Sequence, residues 1–275
     1  MSNDYIIIEA NSPVKNYYYE LWRFRELFIV LALRDVAVRY KQTVIGVAWS
    51  IIQPLLAMVV FTVIFGNVAK LPSEGASPYA LMVCAGLLPW QFFSNSLTGS
   101  SGSLVGNANL ISKVYFPRLI VPIAAIIVSV VDFLISFIIL VGIMIWYQFV
   151  PSWQICFLPL FFVMAFLASL GPGLLMTALN VKYRDFRYVI PFVVQFGLYV
   201  TPVGFSSALV PDEWRLLYSL NPMVGVIEGF RWAILGGESR PYLPGLCLSF
   251  VTTVLFLWLG VRKFRGMEKS FADLI

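Results

Sequence analysis

Tyr188, Phe192, Phe196 and Tyr199 fall at helical spacing, with Gln195 beside them, and put a stripe of rings on one helix face. Phe61 and Phe65, four apart, repeat the pattern earlier in the chain. Sugar rings stack their C–H faces on aromatic rings. An aromatic lane therefore suits a glycan that must slide without stopping on any one sugar's hydroxyls. Packing between helices or toward lipid would use the same residues. Asp132 is the one acid well inside an apolar run. An intramembrane carboxyl is a functional hypothesis by default, and a proton site is one form of it. No basic or His neighbour in the apolar runs offers a relay, which favours a hydrogen-bonded structural role.

Other chemistries find little support. Histidine is absent, and with it the commonest general base and metal ligand. Cys84, Cys156 and Cys247 are far apart, form no CxxC and read as small buried hydrophobes, so no metal is expected. No GxxxxGK[ST] phosphate loop occurs, so any ATP hydrolysis belongs to another chain. Asp185 is the single acid in the inner loops between spans. Asp212, Glu213, Glu228 and Glu238 lie outside with no DxD or DDxxD pairing. A polyprenyl-phosphate transferase, which needs converging acids, is thus disfavoured. No inverted repeat or charged intramembrane network points to an ion-coupled transporter.

The elements that must position these residues are membrane helices. Of 275 residues, 60% are hydrophobic and 12% charged, against about 45–50% and about 25% for soluble domains. Crossing the hydrocarbon core takes about 20 apolar residues. Six runs qualify: 46–69, 79–103, 119–147, 157–180, 189–205 and 243–262. The second is the least apolar, its far half filled by hydroxyl residues and glycines that permit close helix approach. Gly171-Pro172-Gly173 predicts a kink in the fourth. The first residues show no basic stretch before an apolar core, so no secretory leader is expected.

Orientation follows from the basic residues. Fifteen of the 19 Lys and Arg fall on the side of the N-terminus, including Lys113 and Arg118, then Lys182, Arg184 and Arg187. Only Lys70, Arg215, Arg231 and Arg240 fall opposite. Both termini are therefore expected in the cytosol, and the net charge of +5 reports topology, not nucleic-acid binding. This gives a cytosolic segment 1–45, a six-helix domain 46–262 and a cytosolic tail 263–275, with one long outer segment, 206–242.

Three connecting segments stand out. From Tyr19 to Lys41, Leu21, Phe24, Phe28 and Leu31 lie at helical spacing, with Arg23, Arg34 and Lys41 mostly elsewhere on the wheel. That pattern predicts an amphipathic helix lying in the membrane interface, apolar face in lipid. In residues 106–118, Asn107 or Asn109 is expected to cap a short helix that Pro117 stops. Leu110, Ile111, Val114, Tyr115 and Phe116 would give it an exposed apolar patch of the kind that binds protein. In 206–242, Pro211-Asp212-Glu213 and Asn221-Pro222 read as two helix starts. Glu228 and Arg231, three apart, can pair there.

RYKQTVIGVAW at 39–49, Pro54, NANLISKVYFPR at 107–118 and NPM at 221–223 together resemble the ABC-2-type permeases that export O-antigen and related glycans on polyprenyl carriers. The likeness runs from about residue 20 to 265. It implies an all-α polytopic membrane protein of six spans, with an interface helix carrying Arg34, Arg39, Tyr40 and Lys41. A coupling helix toward a cytosolic ATPase would comprise Asn107, Asn109, Leu110, Ile111, Lys113, Val114, Tyr115, Phe116 and Pro117. Short re-entrant gate helices at the outer mouth would carry Trp214, Asn221, Pro222, Glu228 and Arg231. The first and fifth spans would line a glycan conduit through Phe61, Phe65, Phe192, Gln195, Phe196 and Tyr199. The partners implied are a second copy of the chain, two copies of the ATPase holding ATP and Mg, membrane lipids and an undecaprenyl-pyrophosphate-linked polysaccharide. Arg39, Lys41, Lys182, Arg184 and Arg187 are placed to meet the pyrophosphate at the bacterial inner membrane. O-antigen is the first expectation for the cargo, with capsular polysaccharide and teichoic acid as alternatives.

Overall fold

The computed structural model describes residues 17–41, 44–74, 77–236 and 241–271. Lys15, Glu238 and Arg240 lie outside the described residues. Every regular element among them is helical. α1 (Tyr17–Arg23) runs into α2 (Arg25–Lys41) through Phe24, whose N–H donates to the Glu20 carbonyl and whose own carbonyl accepts from Phe28, each at 3.0 Å. α3 (Val44–Phe61) passes into π-helical turns over Thr62–Val68. α4 (Tyr79–Gly106), the short α5 (Ala108–Lys113), α6 (Ile120–Trp146), α7 (Leu158–Lys182) and α8 (Phe186–Val200) follow. α9 (Asp212–Tyr218) and α10 (Pro222–Leu235) form the outer segment, and α11 (Leu243–Met267) closes the chain.

Among the described residues, four helical stretches are long and apolar enough to cross a membrane: Ala48–Val68, Ile120–Trp146, Trp153–Lys182 and Leu243–Ser270. α4 has the length, 28 residues, but its serine-rich half lowers its apolarity. α8 is apolar but has only 15 residues and stops at Val200, short of the expected 205. At 1.5 Å per residue it reaches about 22 Å, against a hydrocarbon core of about 30 Å.

α4 stands at the centre, packed on α6, α7 and α10. Around it one apolar core gathers Leu81–Leu88, Phe92, Phe133, Phe161, Ile227 and Phe230. A second core gathers Leu31, Leu104, Ile111, Phe116, Leu174 and Phe264 where α2, α5, α6, α7 and α11 meet. Lipid offers no apolar driving force between helices, so close backbone approach has to supply the attraction. α7 and α11 use glycines for this. A carbon added to Gly260 would stand 2.1 Å from the Gly171 carbonyl oxygen, and one added to Gly171 would stand 2.6 Å from the Leu257 nitrogen. Gly173 does the same against Ser100 of α4, at 2.6 Å. The Gly171-Pro172-Gly173 stretch is thus a packing site within a continuous α7. Of the cysteines, Cys84 is buried as expected, whereas Cys156 and Cys247 are exposed.

Gly260→Leu is expected to strip the chain of its folded form, because two backbones would have to separate. Gly142→Leu, where an added carbon meets nothing within 4 Å, should be neutral. The recovered monodisperse protein in detergent gel filtration measures both.

Candidate functional site

α5 begins at Asn107 as the sequence indicates, but the cap differs. The Asn107 side chain makes no cap to the helix. Its Nδ2 donates to the Ser103 carbonyl at 2.8 Å, and its Oδ1 accepts from the Arg34 guanidinium at 2.8 Å. Arg34 therefore ties α2 to the start of α5. The helix ends at Lys113, well before Pro117. The expected apolar patch is divided: Ile111, Phe116 and Pro117 are buried in the inner core, and Leu110 is half-buried. Asn109, Lys113, Val114 and Tyr115 remain exposed.

The N-terminal helices also depart from expectation. Leu31 is buried, and Leu21, Phe24 and Phe28 pack against the inner core instead of lipid. The exposed face carries Ile29, Val30, Leu33 and Val38. Apolar residues thus occupy both faces. Glu268, an acid in a basic tail, holds this assembly together. Its Oε1 accepts from the Tyr17 hydroxyl at 3.2 Å and from the Arg118 N–H at 2.9 Å. The Arg118 guanidinium donates to the Glu268 carbonyl. The Arg265 guanidinium sits over the Tyr17 ring at 4.6 Å. Burial, and then the nearby Glu268 carboxylate, push the Tyr17 phenol above its ordinary range, so it stays a neutral donor. Tyr17 and Glu268 were not singled out from the sequence, since 251 residues separate them.

Asp132 does have a basic partner, from outside the apolar runs. The Arg39 guanidinium lies 2.7 Å from its Oδ2, as an ion pair outside hydrogen-bond geometry. The Tyr40 hydroxyl donates to Oδ1. Asp132 itself is buried halfway along α6, so α2 is fastened deep in the helix bundle.

α9 and α10 start where the sequence places them. Asn221 caps α10, accepting from the Met223 N–H at 3.0 Å, with Pro222 at the first turn. α9 exposes Trp214, Leu216 and Leu217, whereas α10 is almost wholly buried among α4, α7 and α11. Glu228 and Arg231 do not pair. Arg231, fully buried, reaches Glu74 at 3.1 Å and the Phe205 and Val203 carbonyls at 2.8 and 2.9 Å. Glu228 accepts from the Ser207 hydroxyl and from the Tyr242 N–H at 3.2 Å. Glu74 has no signal in the sequence beyond being a single acid in a polar loop.

α8 is little covered, with Ile190 its only buried residue. Phe192, Phe196 and Tyr199 are 66%, 60% and 62% exposed. The Phe192 and Phe196 rings stack with centroids 6.0 Å apart. Gln195 and Tyr188 are exposed on the same helix. Phe61 and Phe65 form a second pair at 5.4 Å and lie against Gly204. Lys41, Lys182, Arg184 and Arg187 are all exposed.

Among known families, the model described as ABC-2 type transporter matches residues 26–235. The chain belongs to the ABC-2 type transporter family. Its relatives include an O-antigen export system permease protein of Klebsiella pneumoniae, 26% identical over 261 residues, which cover 94% of this chain and 98% of the relative. A protein of the same name from Myxococcus xanthus is 26% identical over 93% and 98% of the two chains. The polysialic acid transport protein KpsM of Escherichia coli is 23% identical over 87% and 93%. This ABC-2 chain is therefore similar to transport permeases from end to end.

Glu74→Leu should destabilise the outer segment strongly. It removes the ion-pair partner of a fully buried guanidinium, a loss of about 3–5 kcal/mol. Glu213→Gln, on the exposed side of α9, should cost less than about 0.5 kcal/mol. Thermal unfolding in detergent measures both.

Proposed function

We propose that this chain is the membrane permease of an ATP-binding-cassette exporter. It moves a polysaccharide on a polyprenyl-pyrophosphate carrier, O-antigen in the first instance, across the bacterial inner membrane. The observation that carries this reading is α8. A chain whose relatives are named for O-antigen export leaves a ladder of aromatic rings uncovered on one helix. Rings present flat apolar faces to sugar C–H groups while holding no hydroxyl in place, which is what a moving polymer needs.

In this reading α4 and α8 join the four long apolar helices as spans, both termini are cytosolic, and two copies of the chain face each other. Aromatic residues of α3 and α8 line the conduit between them. α8 is too short to cross alone, and the second copy covers it. α10 is a re-entrant gate at the outer mouth, locked by Arg231. ATP and Mg belong to a separate ATPase, one copy under each permease. It meets Asn109, Lys113, Val114 and Tyr115 on α5, and its push passes through Asn107 to Arg34 and α2. Lys41, Lys182, Arg184 and Arg187 meet the carrier's pyrophosphate at the inner surface, with Arg39 close by.

A capsular polysaccharide is the second reading of the cargo, favoured by the similarity to KpsM.

Cells lacking the chain are expected to accumulate polymer on the carrier lipid at the cytosolic side, and the sugar composition of that lipid extract identifies the cargo. If no carrier-linked glycan builds up in cells that make one, the polysaccharide reading falls.

Two further outcomes separate surface from core. Tyr115→Ala should leave protein levels intact but cut permease-stimulated ATP hydrolysis and export. Phe116→Ala should instead lower the amount of folded protein, since emptying a buried Phe site costs about 3–5 kcal/mol. Replacing Phe192, Phe196 and Tyr199 together by Ala should slow export about tenfold, the effect of roughly 1.4 kcal/mol of lost stacking. Unchanged export would return these rings to a packing role.

A further inference from the structure

Beside the Arg39–Asp132 pair lies an open cavity of about 130 Å³ between α2, α3, α4 and α6. Its lining includes Trp49 and Gln53 of α3, Gln91 and Asn95 of α4, and both members of the pair. Gln91 and Asn95 are one turn apart on the same helix face. The amides of Gln53, Gln91 and Asn95 have no side-chain hydrogen-bond partner among the described residues. All three sit on helices that carry apolar residues for most of their length. Gln53 is exposed and Gln91 and Asn95 are half-buried, so all three amides are open to water or a ligand in the hollow.

We propose that this cavity is a saccharide-binding subsite that takes one neutral sugar ring of the cargo. The proposal rests on the polysaccharide reading above and goes beyond its aromatic lane. Each amide offers both donors and an acceptor, and a sugar hydroxyl is both at once. The carboxylate and guanidinium present further paired groups for adjacent hydroxyls. Trp49, more than half exposed, supplies a flat apolar face. The charges decide against an anion. Arg39 stands 2.7 Å from Asp132, so the pocket carries no net positive charge, and a pyrophosphate there would meet the carboxylate. A hydrocarbon chain would leave every amide unmatched. A single carboxylate is too few hard ligands for a divalent cation.

The size selects one ring. A cavity of about 150 Å³ accommodates a benzene-sized molecule. The hollow is somewhat smaller than that and a pyranose is larger than benzene, so it takes one edge of a single ring, and the rest of the sugar and its neighbours lie outside its open side. Directional hydrogen bonds fix a sugar where a bare aromatic face lets it slide. The subsite therefore loads and positions the cargo, while α8 conducts it.

The test uses the full-length chain in lipid nanodiscs, titrated calorimetrically with oligosaccharides cut from the cell's own surface polysaccharide. Saturable binding is expected, weakened about tenfold or more by Gln91→Leu and by Asp132→Asn, and less by Gln91→Asn. Should Gln91→Leu reduce the amount of protein in the membrane, Gln53→Leu, at an exposed position of α3, carries the same expectation. Inorganic pyrophosphate is titrated in parallel. Absence of oligosaccharide binding, equal binding by the variants, or displacement of the sugar by pyrophosphate would each overturn the assignment. Accumulation of carrier-linked glycan in cells lacking the chain is scored separately. If glycan accumulates while the pocket variants bind normally, the subsite fails and the export reading stands. If none accumulates, the export reading itself has failed.

Discussion

A guanidinium with no access to solvent governs the part of this protein around α10. Arg231 cannot leave its charge unmatched in an apolar setting, so whatever surrounds it must converge on it. Glu74 comes from the connection after α3, and the Val203 and Phe205 carbonyls come from the turn after α8. A helix that carries a charge and spans nothing can then be buried on nearly all sides. The same logic explains why Gly86 sits where it does. A carbon there would meet the Arg231 guanidinium at 3.1 Å, so α4 makes room for the charge.

The end of the bundle where α1 meets the end of α11 is organised by a carboxylate instead. Glu268 gathers the N-terminal helix, the approach to α6 and the end of α11 at one point. Its partners include a backbone N–H and a phenol as well as cations, which makes the joint directional. With Phe116 and Ile111 buried beneath it, α5 is seated on a firm base and shows only a narrow exposed edge. That arrangement holds the exposed edge rigid against the core beneath it.

Much of the helix order was legible in the sequence, for local reasons. Asn221-Pro222 marks the start of α10 because a side-chain cap and a missing N–H are properties of adjacent residues. The aromatic spacing on α8 likewise reports one helix face. What stayed hidden involves partners distant in sequence. Spacing pairs Glu228 with Arg231, yet the acid that reaches Arg231 is 157 positions away. Asp132 lacked a partner within the apolar runs because Arg39 approaches from a separate helix, 93 residues earlier by subtraction of their numbers. Ile111 and Phe116 read as an exposed patch because the helices that cover them, α2 and α11, lie at opposite ends of the chain. The polar cavity is of the same kind: no two of α3, α4 and α6 reveal alone that their amides face one hollow.

The attachment of α2 at two heights has a mechanical side. Arg34 grips the loop that begins α5, and Arg39, five residues on, grips the midpoint of α6. Those five residues span only about 7.5 Å of helix. A displacement of α5 therefore reaches the middle of the bundle along a stiff rod of little more than one turn. It arrives without melting any helix and with almost no compliance in between. The N-terminal helix is then a crank, and the Asp132 carboxylate is the pin on which it turns.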